Sequence, residues 1–300
     1  MERGKGSAGM GYALAAFLLW GLLPLYWKHL AGIPALELLA HRFLWSFVFV
    51  AGWLGVRRRL GELGAVLADP RRRRPLFLAA VLIAINWGVY VWAVTGDHLI
   101  EASLGYYINP LVSVALGVLI LGERLGRRQW AAVGLAAAGV VLFALEVRGL
   151  PWISLALAFS FGFYGLVKKT LHLDALTGLA AETGMLVLPA ALTLALIESA
   201  RGWPALGYTA DVWLLLLGAG VVTALPLLWF AEAVRRAALS TVGLIQYVTP
   251  TMKLIFGVFL YHEPFTPAHL ASFALIWAAL GLYTTALFRR AGAAPATVEK

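Results

Sequence analysis

Cysteine is absent from all 300 residues. Disulfides, thiolate metal sites and thiol nucleophiles are excluded with it. Charge is nearly as scarce: Asp, Glu, Lys and Arg make up 13% of the chain, against roughly 25% in a soluble domain. No G-x-x-x-x-G-K-[ST] loop is present to cradle nucleotide phosphates, no G-x-S-x-G nucleophile elbow, and no spacing of His, Asp and Glu that suits a metal. These gaps argue against an enzyme and against an ATP-driven pump within the chain, and no cofactor is expected. What fills the sequence instead is apolar, at 61% hydrophobic residues. A chain of this make-up lacks the polar surface to cover itself in water, so lipid is its expected solvent.

Ten apolar segments run at about 10–30, 34–55, 75–96, 101–121, 128–147, 151–169, 175–198, 212–234, 240–261 and 266–288. At about 1.5 Å per residue each can cross roughly 30 Å of hydrocarbon. The first follows Arg3 and Lys5 as a signal peptide would, but it is long, holds Trp20 and Pro24, and lacks a clean small-x-small cleavage site, so a retained span is expected. The net charge of +9 lies in short loops between spans, which points to membrane topology rather than nucleic acid. With the N-terminus inside, 19 Lys and Arg fall on the cytoplasmic side and only Lys28, Arg148 and Arg201 outside. Ten spans with both termini in the cytoplasm follow from that bias, in a bacterial inner or plasma membrane.

A repeat organises the chain. LGYYINPLVSVALGVLILGE, residues 104–123, returns 140 residues later as LIQYVTPTMKLIFGVFLYHE, residues 244–263. Tyr107 pairs with Tyr247, Pro110 with Pro250, Gly117 with Gly257 and Glu123 with Glu263. Residues 10–147 and 151–288 each then hold five spans. An odd number enters the second half upside down, giving inverted repeats of the kind that alternating-access transporters use.

AAFLLWGLLPLYWKHL, PALELLAHRFLWS, NWGVYVWAV and EASLGYYINPLVSVALGVLILGERL resemble RarD-type members of the EamA family, within the drug/metabolite transporter superfamily. The resemblance runs from about Gly11 to Phe288. It implies an all-α fold of ten transmembrane helices, a central substrate cavity, and export or exchange of small metabolites or drugs.

Ionisable residues deep in a span are costly and mark function. His41 and Arg42 in the second span, Glu182 in the seventh and Lys253 in the ninth are such residues. Arg42 and Glu182 are repeat mates, expected either to meet near the symmetry axis or to hold opposite ends of a zwitterion. An internal ion pair, or Arg42 reaching for Glu37, is the plainer alternative. His41 and Glu182 are candidates for proton coupling. Gln246, Thr249, Pro250 and Lys253 form one helical stripe, and their mates Tyr106, Asn109, Pro110 and Ser113 another. Both stripes are expected to line a cavity. Asn86 and Tyr90 on the third span, Trp20 on the first and Tyr164 on the sixth extend the candidate binding set toward aromatic or amphipathic solutes. Pro24, Pro110, Pro226 and Pro250 are expected to break their helices and to free carbonyls such as those of Tyr106 and Gln246. Asp97, His98 and Glu101 are expected as solvated charges near an outer gate. Gly134 with Ala138, and Ala274 with Ala278, make small-xxx-small faces suited to packing or to contact in a homodimer, a monomer being the other possibility. A secondary carrier of a small organic molecule fits these features best. A proton-independent exchanger of anionic or zwitterionic solutes and a lipid flippase are the alternatives.

Overall fold

The computed structural model describes residues 2–95, 98–145, 152–260 and 267–292, and these are all-helical, with no strand among them. Twelve α-helices follow one another: α1 (Glu2–Lys28), α2 (Ala35–Val56), α3 (Leu60–Ala68), α4 (Pro70–Thr95), α5 (Leu99–Leu119), α6 (Arg127–Ala144), α7 (Trp152–Thr170), α8 (Ala175–Arg201), α9 (Ala210–Arg236), α10 (Leu239–Ile245), α11 (Val248–Leu260) and α12 (Pro267–Gly292). Eight segments among the described residues are long and apolar enough to cross a membrane, α10 and α11 together making one of them. α6 and α7 fall short of that mark because their ends are basic: Arg127 and Arg128 open α6, and Lys168 and Lys169 close α7. Asp97 and Glu263 lie outside the described residues.

Helix ends are marked by local chemistry. Asp174 caps α8, its carboxylate accepting from the N–H groups of Leu176 and Thr177 at 3.2 Å. Gly202 ends the same helix at φ 73°, the left-handed conformation a C-terminal cap needs. The basic connection after α2 folds into α3, which lies on the surface with only Val66 buried. Arg59 fastens this element, bonding both oxygens of Glu62 at 2.7 Å and approaching Asp174 at 3.3 Å.

Prolines do not act as the sequence suggests. α1, α4, α5, α8 and α9 run continuously through Pro24, Pro75, Pro110, Pro189 and Pro226. The expected breaks at Pro24, Pro110 and Pro226 are therefore absent. Each proline removes a single helical hydrogen bond, and the helix continues past it. Only before Pro250 does the chain open, between α10 and α11. There Thr249 N–H donates to Gln246 O at 3.0 Å, so the carbonyl that proline released is taken up by a tighter turn rather than left for a ligand.

The repeat mates Tyr107 and Tyr247 touch across the centre: the Tyr247 hydroxyl donates to the carbonyl of Tyr107 at 3.0 Å. Glu123, at the end of the first copy, accepts from Leu239 N–H at 2.6 Å and Ser240 N–H at 2.9 Å, joining α5 to the start of α10. α6 packs on α12, with Ala132, Ala136, Gly139 and Phe143 of one facing Phe273, Ile276 and Ala279 of the other. Gly134, Ala138, Ala274 and Ala278 are exposed on the outer sides of these helices and do not build that contact. Elsewhere the exposed residues are large and apolar, such as Leu188, Leu192, Leu196 and Leu214, as a lipid-facing surface requires.

Candidate functional site

Two close helix approaches set the site. Gly220 of α9 lies so near Trp45 of α2 that a Cβ would overlap its backbone, and the Ser46 hydroxyl donates to Gly220 O at 3.1 Å. Gly21 of α1 abuts the side chain of Met252 on α11, while the Thr249 hydroxyl donates to Phe17 O at 2.7 Å. These contacts fix α1, α2, α9 and the α10–α11 break around a common interior.

A cavity of about 110 Å³ occupies that interior, several times the roughly 10–15 Å³ that one water needs. Trp20, Pro24, Arg42, Asn86, Tyr90, Tyr106, Asn109, Gln246, Thr249, Pro250 and Lys253 all line it. Arg42 reaches in from α2 with its guanidinium carbon 4.1 Å from the centre of the Trp87 ring and 4.9 Å from that of Trp27. Its Nε donates to the Thr223 hydroxyl at 3.1 Å. Lys253 enters from α11, its ammonium 4.0 Å from the centre of Tyr106 and 5.8 Å from that of Tyr90, two rings packed edge to face. The Asn86 amide donates to Leu157 O at 2.8 Å and to Ser160 Oγ at 2.9 Å, and the Asn109 amide donates to Ala158 O at 2.9 Å. Both asparagines thus clamp α7 against the cavity wall. The carbonyl oxygen of Asn109 has no hydrogen-bond partner.

Four candidates lie elsewhere. Ser113 is turned to α10, where it packs against Gly243. Tyr164 and Glu182 belong to a second, far smaller cavity of about 10 Å³, lined also by Trp87, Thr183 and Thr223. There Lys168 meets Glu182 at 2.6 Å and Tyr164 donates to the other carboxylate oxygen at 3.2 Å. Arg42 and Glu182 therefore do not pair with each other, because each has nearer partners. His41 occupies a third place. Its Nδ1 accepts from Trp45 Nε1 at 3.1 Å, its ring packs edge to face on Trp213, and its Nε2 is unpartnered. Glu198 is close enough to act on it electrostatically. Glu37, the alternative partner that the sequence offered Arg42, instead accepts from Tyr208 at 2.7 Å and lies 3.6 Å from Arg201. Burial, then the bond to Glu37, push the Tyr208 hydroxyl up to about 12, so it stays a donor at physiological pH. His98 and Glu101 bond each other at 3.0 Å beside the stacked ring of Trp92.

Sequence reasoning missed Trp27, Phe17, Phe161 and Lys168 as members of these sites. Lys168 read as a loop charge because it precedes Lys169 near a span end, yet it is 6% exposed. Its distance from Glu182, 14 residues across one tight helix connection, was the available signal. Trp27 follows Trp20 by two turns, which the helical period alone places near the lining.

Comparison with known proteins bears on the family and the fold. The EamA-like transporter family matches residues 7–145 and 148–285. The chain is 48% identical over 295 residues to the uncharacterized transporter YojE of Bacillus subtilis, covering 95% of this chain and 96% of that one. It is 46% identical to the protein RarD of Streptomyces exfoliatus, covering 97% and 92%, and 41% identical to RarD of Escherichia coli, covering 94% and 96%. A solved structure titled only as the crystal structure of a protein shares the fold at a TM-score of 0.70 and 21% identity, over 94% of this chain and 99% of that one. The chain is a membrane transporter, a RarD-type member of the EamA-like transporter family.

Proposed function

We propose that this protein is a secondary carrier that exports or exchanges a small organic solute across the bacterial inner membrane by alternating access. Its ten crossings form two inverted five-helix repeats, 10–147 and 151–288, with both termini cytoplasmic. The Lys and Arg distribution supports the orientation. One observation carries the mechanism: two cavities share the Trp87 side chain yet differ about tenfold in volume. The small one is lined by repeat mates that face one another, Phe43 with Thr183, Ser46 with Leu186, Ile83 with Thr223 and Trp87 with Leu227, as a closed constriction on the pseudo-two-fold axis would be. An inverted-repeat carrier in one of its two states is open on one side of that axis and closed on the other. With cytoplasmic termini the open cavity occupies the outer half of the bundle. Trp87 lines both cavities, and Arg42 bonds Thr223 of the smaller, so these three side chains are the partition that the cycle must move.

The absence of native cysteine makes the test direct. Single-cysteine variants Leu23→Cys in the open cavity and Leu186→Cys in the closed one would be labelled with a membrane-impermeant maleimide in oriented vesicles. Label reaching Leu23→Cys from outside, and Leu186→Cys from inside only once the first is shut, is the expected pattern. Simultaneous access to both from opposite sides would make the protein a channel. Proton coupling is the second reading, favoured by the fully buried Glu182. Flux in proteoliposomes that tracks an imposed pH gradient, and loses that dependence in Glu182→Gln, would support it.

A further inference from the structure

An ionised side chain inside a bilayer needs a counter-charge, and the large cavity holds two cations with none. None of its 18 lining residues is Asp or Glu. Neither Arg42 nor Lys253 makes an ion pair among the described residues. The buried carboxylates are committed elsewhere: Glu182 to Lys168 and Tyr164, Glu37 to Tyr208 and Arg201, Glu198 to the N–H of Ala205, and Glu123 to the start of α10. Aromatic faces, and for Arg42 the hydroxyl of Thr223, supply what stabilisation these cations have, and that is weaker than a charge partner.

On the reading of this cavity as the transport site, we infer that its substrate is an organic anion: a carboxylate set between Arg42 and Lys253, with an aromatic or apolar body among Trp20, Trp27 and Phe161. The substrate then brings the missing counter-charge. Arg42 suits a carboxylate because its planar fork bonds both oxygens, and in doing so it can exchange the weaker bond to Thr223 for a charged one. A primary amine would meet two like charges and no carboxylate, which excludes simple cations. A zwitterion fares better than an amine, since the unpartnered carbonyl of Asn109 and the ring faces can receive an ammonium, but worse than the plain acid, since no acid group balances that charge. Ligand and site are thus matched in sign, and release is coupled to re-exposure of two uncompensated cations.

The test uses four molecules sharing one skeleton: 3-phenylpropionate, phenylalanine, 3-phenylpropionamide and phenethylamine. Binding to the purified full-length protein would be read at pH 7.5 by quenching of tryptophan fluorescence. Flux of each labelled compound would be read in proteoliposomes against protein-free liposomes. The expected order is acid, then zwitterion, then amide, then amine, with roughly tenfold or more between acid and amide. Lys253→Gln should collapse that gap and Lys253→Arg should retain it. Arg42→Lys should weaken the acid selectively. Equal or tighter binding of the amide or amine, lost in Tyr106→Ala, would overturn the anion inference while leaving the cavity as the transport site. Failure of all four to bind or move would overturn both. The ranking in the wild-type protein needs no variant to fold, so it decides the matter if a substituted chain is unstable.

Discussion

The Arg42 cavity and the Glu182 cavity adjoin at Trp87 and treat buried charge in opposite ways. Around Glu182 the charge is closed on itself: Lys168 takes one oxygen, Tyr164 the other, and almost no space remains. Around Arg42 and Lys253 the charges are open, held over aromatic rings beside a cavity. The difference teaches what a buried ion is for. A closed pair is satisfied internally and its loss is a matter of stability; an open cation is satisfied only in part, and its loss is a matter of binding.

That contrast is most sharply broken by Glu182→Gln, which leaves Lys168 buried without its partner. Unfolding in detergent should show a loss of ~3–5 kcal/mol. The double variant Lys168→Met with Glu182→Leu should recover most of it, and no recovery would mean that the pair is not the stabilising unit. Next in size, Lys253→Gln should leave thermal unfolding unchanged or raised, because an uncompensated charge leaves the bilayer interior, while transport falls by about tenfold or more. A large loss of stability in that variant would show Lys253 to be structural after all. Thr223→Val deletes the bond to the Arg42 guanidinium at the partition. An expected cost of about 0.5–1.5 kcal/mol in unfolding should accompany an altered ratio of inward to outward flux, measured in oriented vesicles.

The smallest effect belongs to the surface pair Arg59–Glu62, a third way of treating charge, in which water shares it. The hydrogen bond from Arg59 holds the Glu62 carboxyl below its ordinary value, and Glu62 holds the Arg59 guanidinium above its own. A depressed carboxyl contributes stability that is complete above the ordinary carboxylate range and is lost as pH falls through the lowered value. Glu62→Gln should therefore differ slightly from wild type in melting at neutral pH and match it in strong acid.

Much of the site was legible because polar side chains cannot face lipid. The Gln246, Thr249, Lys253 stripe and its mates Tyr106 and Asn109 could point only inward, and they do line the cavity. Ser113 has the same spacing as Lys253 yet packs on Gly243, since a small side chain was needed where α5 approaches α10. Tyr164 and Glu182 went to the closed site for a reason no periodicity carries: Lys168, which reads as a loop residue, folds back to meet them. The prolines mislead similarly. Pro110 and Pro250 are equivalent in sequence, but only the second adjoins an interruption, because neighbouring helices decide whether a missing hydrogen bond opens the chain.

By itself the sequence determined the solvent, the class of fold and which polar stripes had to be turned inward, because each of these follows from composition and from a period along one chain. The family came from the resemblance of its motifs. The tertiary structure decided which charges pair and which stay open. That choice depends on which helices meet, and Arg42 meets Thr223 and Trp87 rather than its repeat mate Glu182.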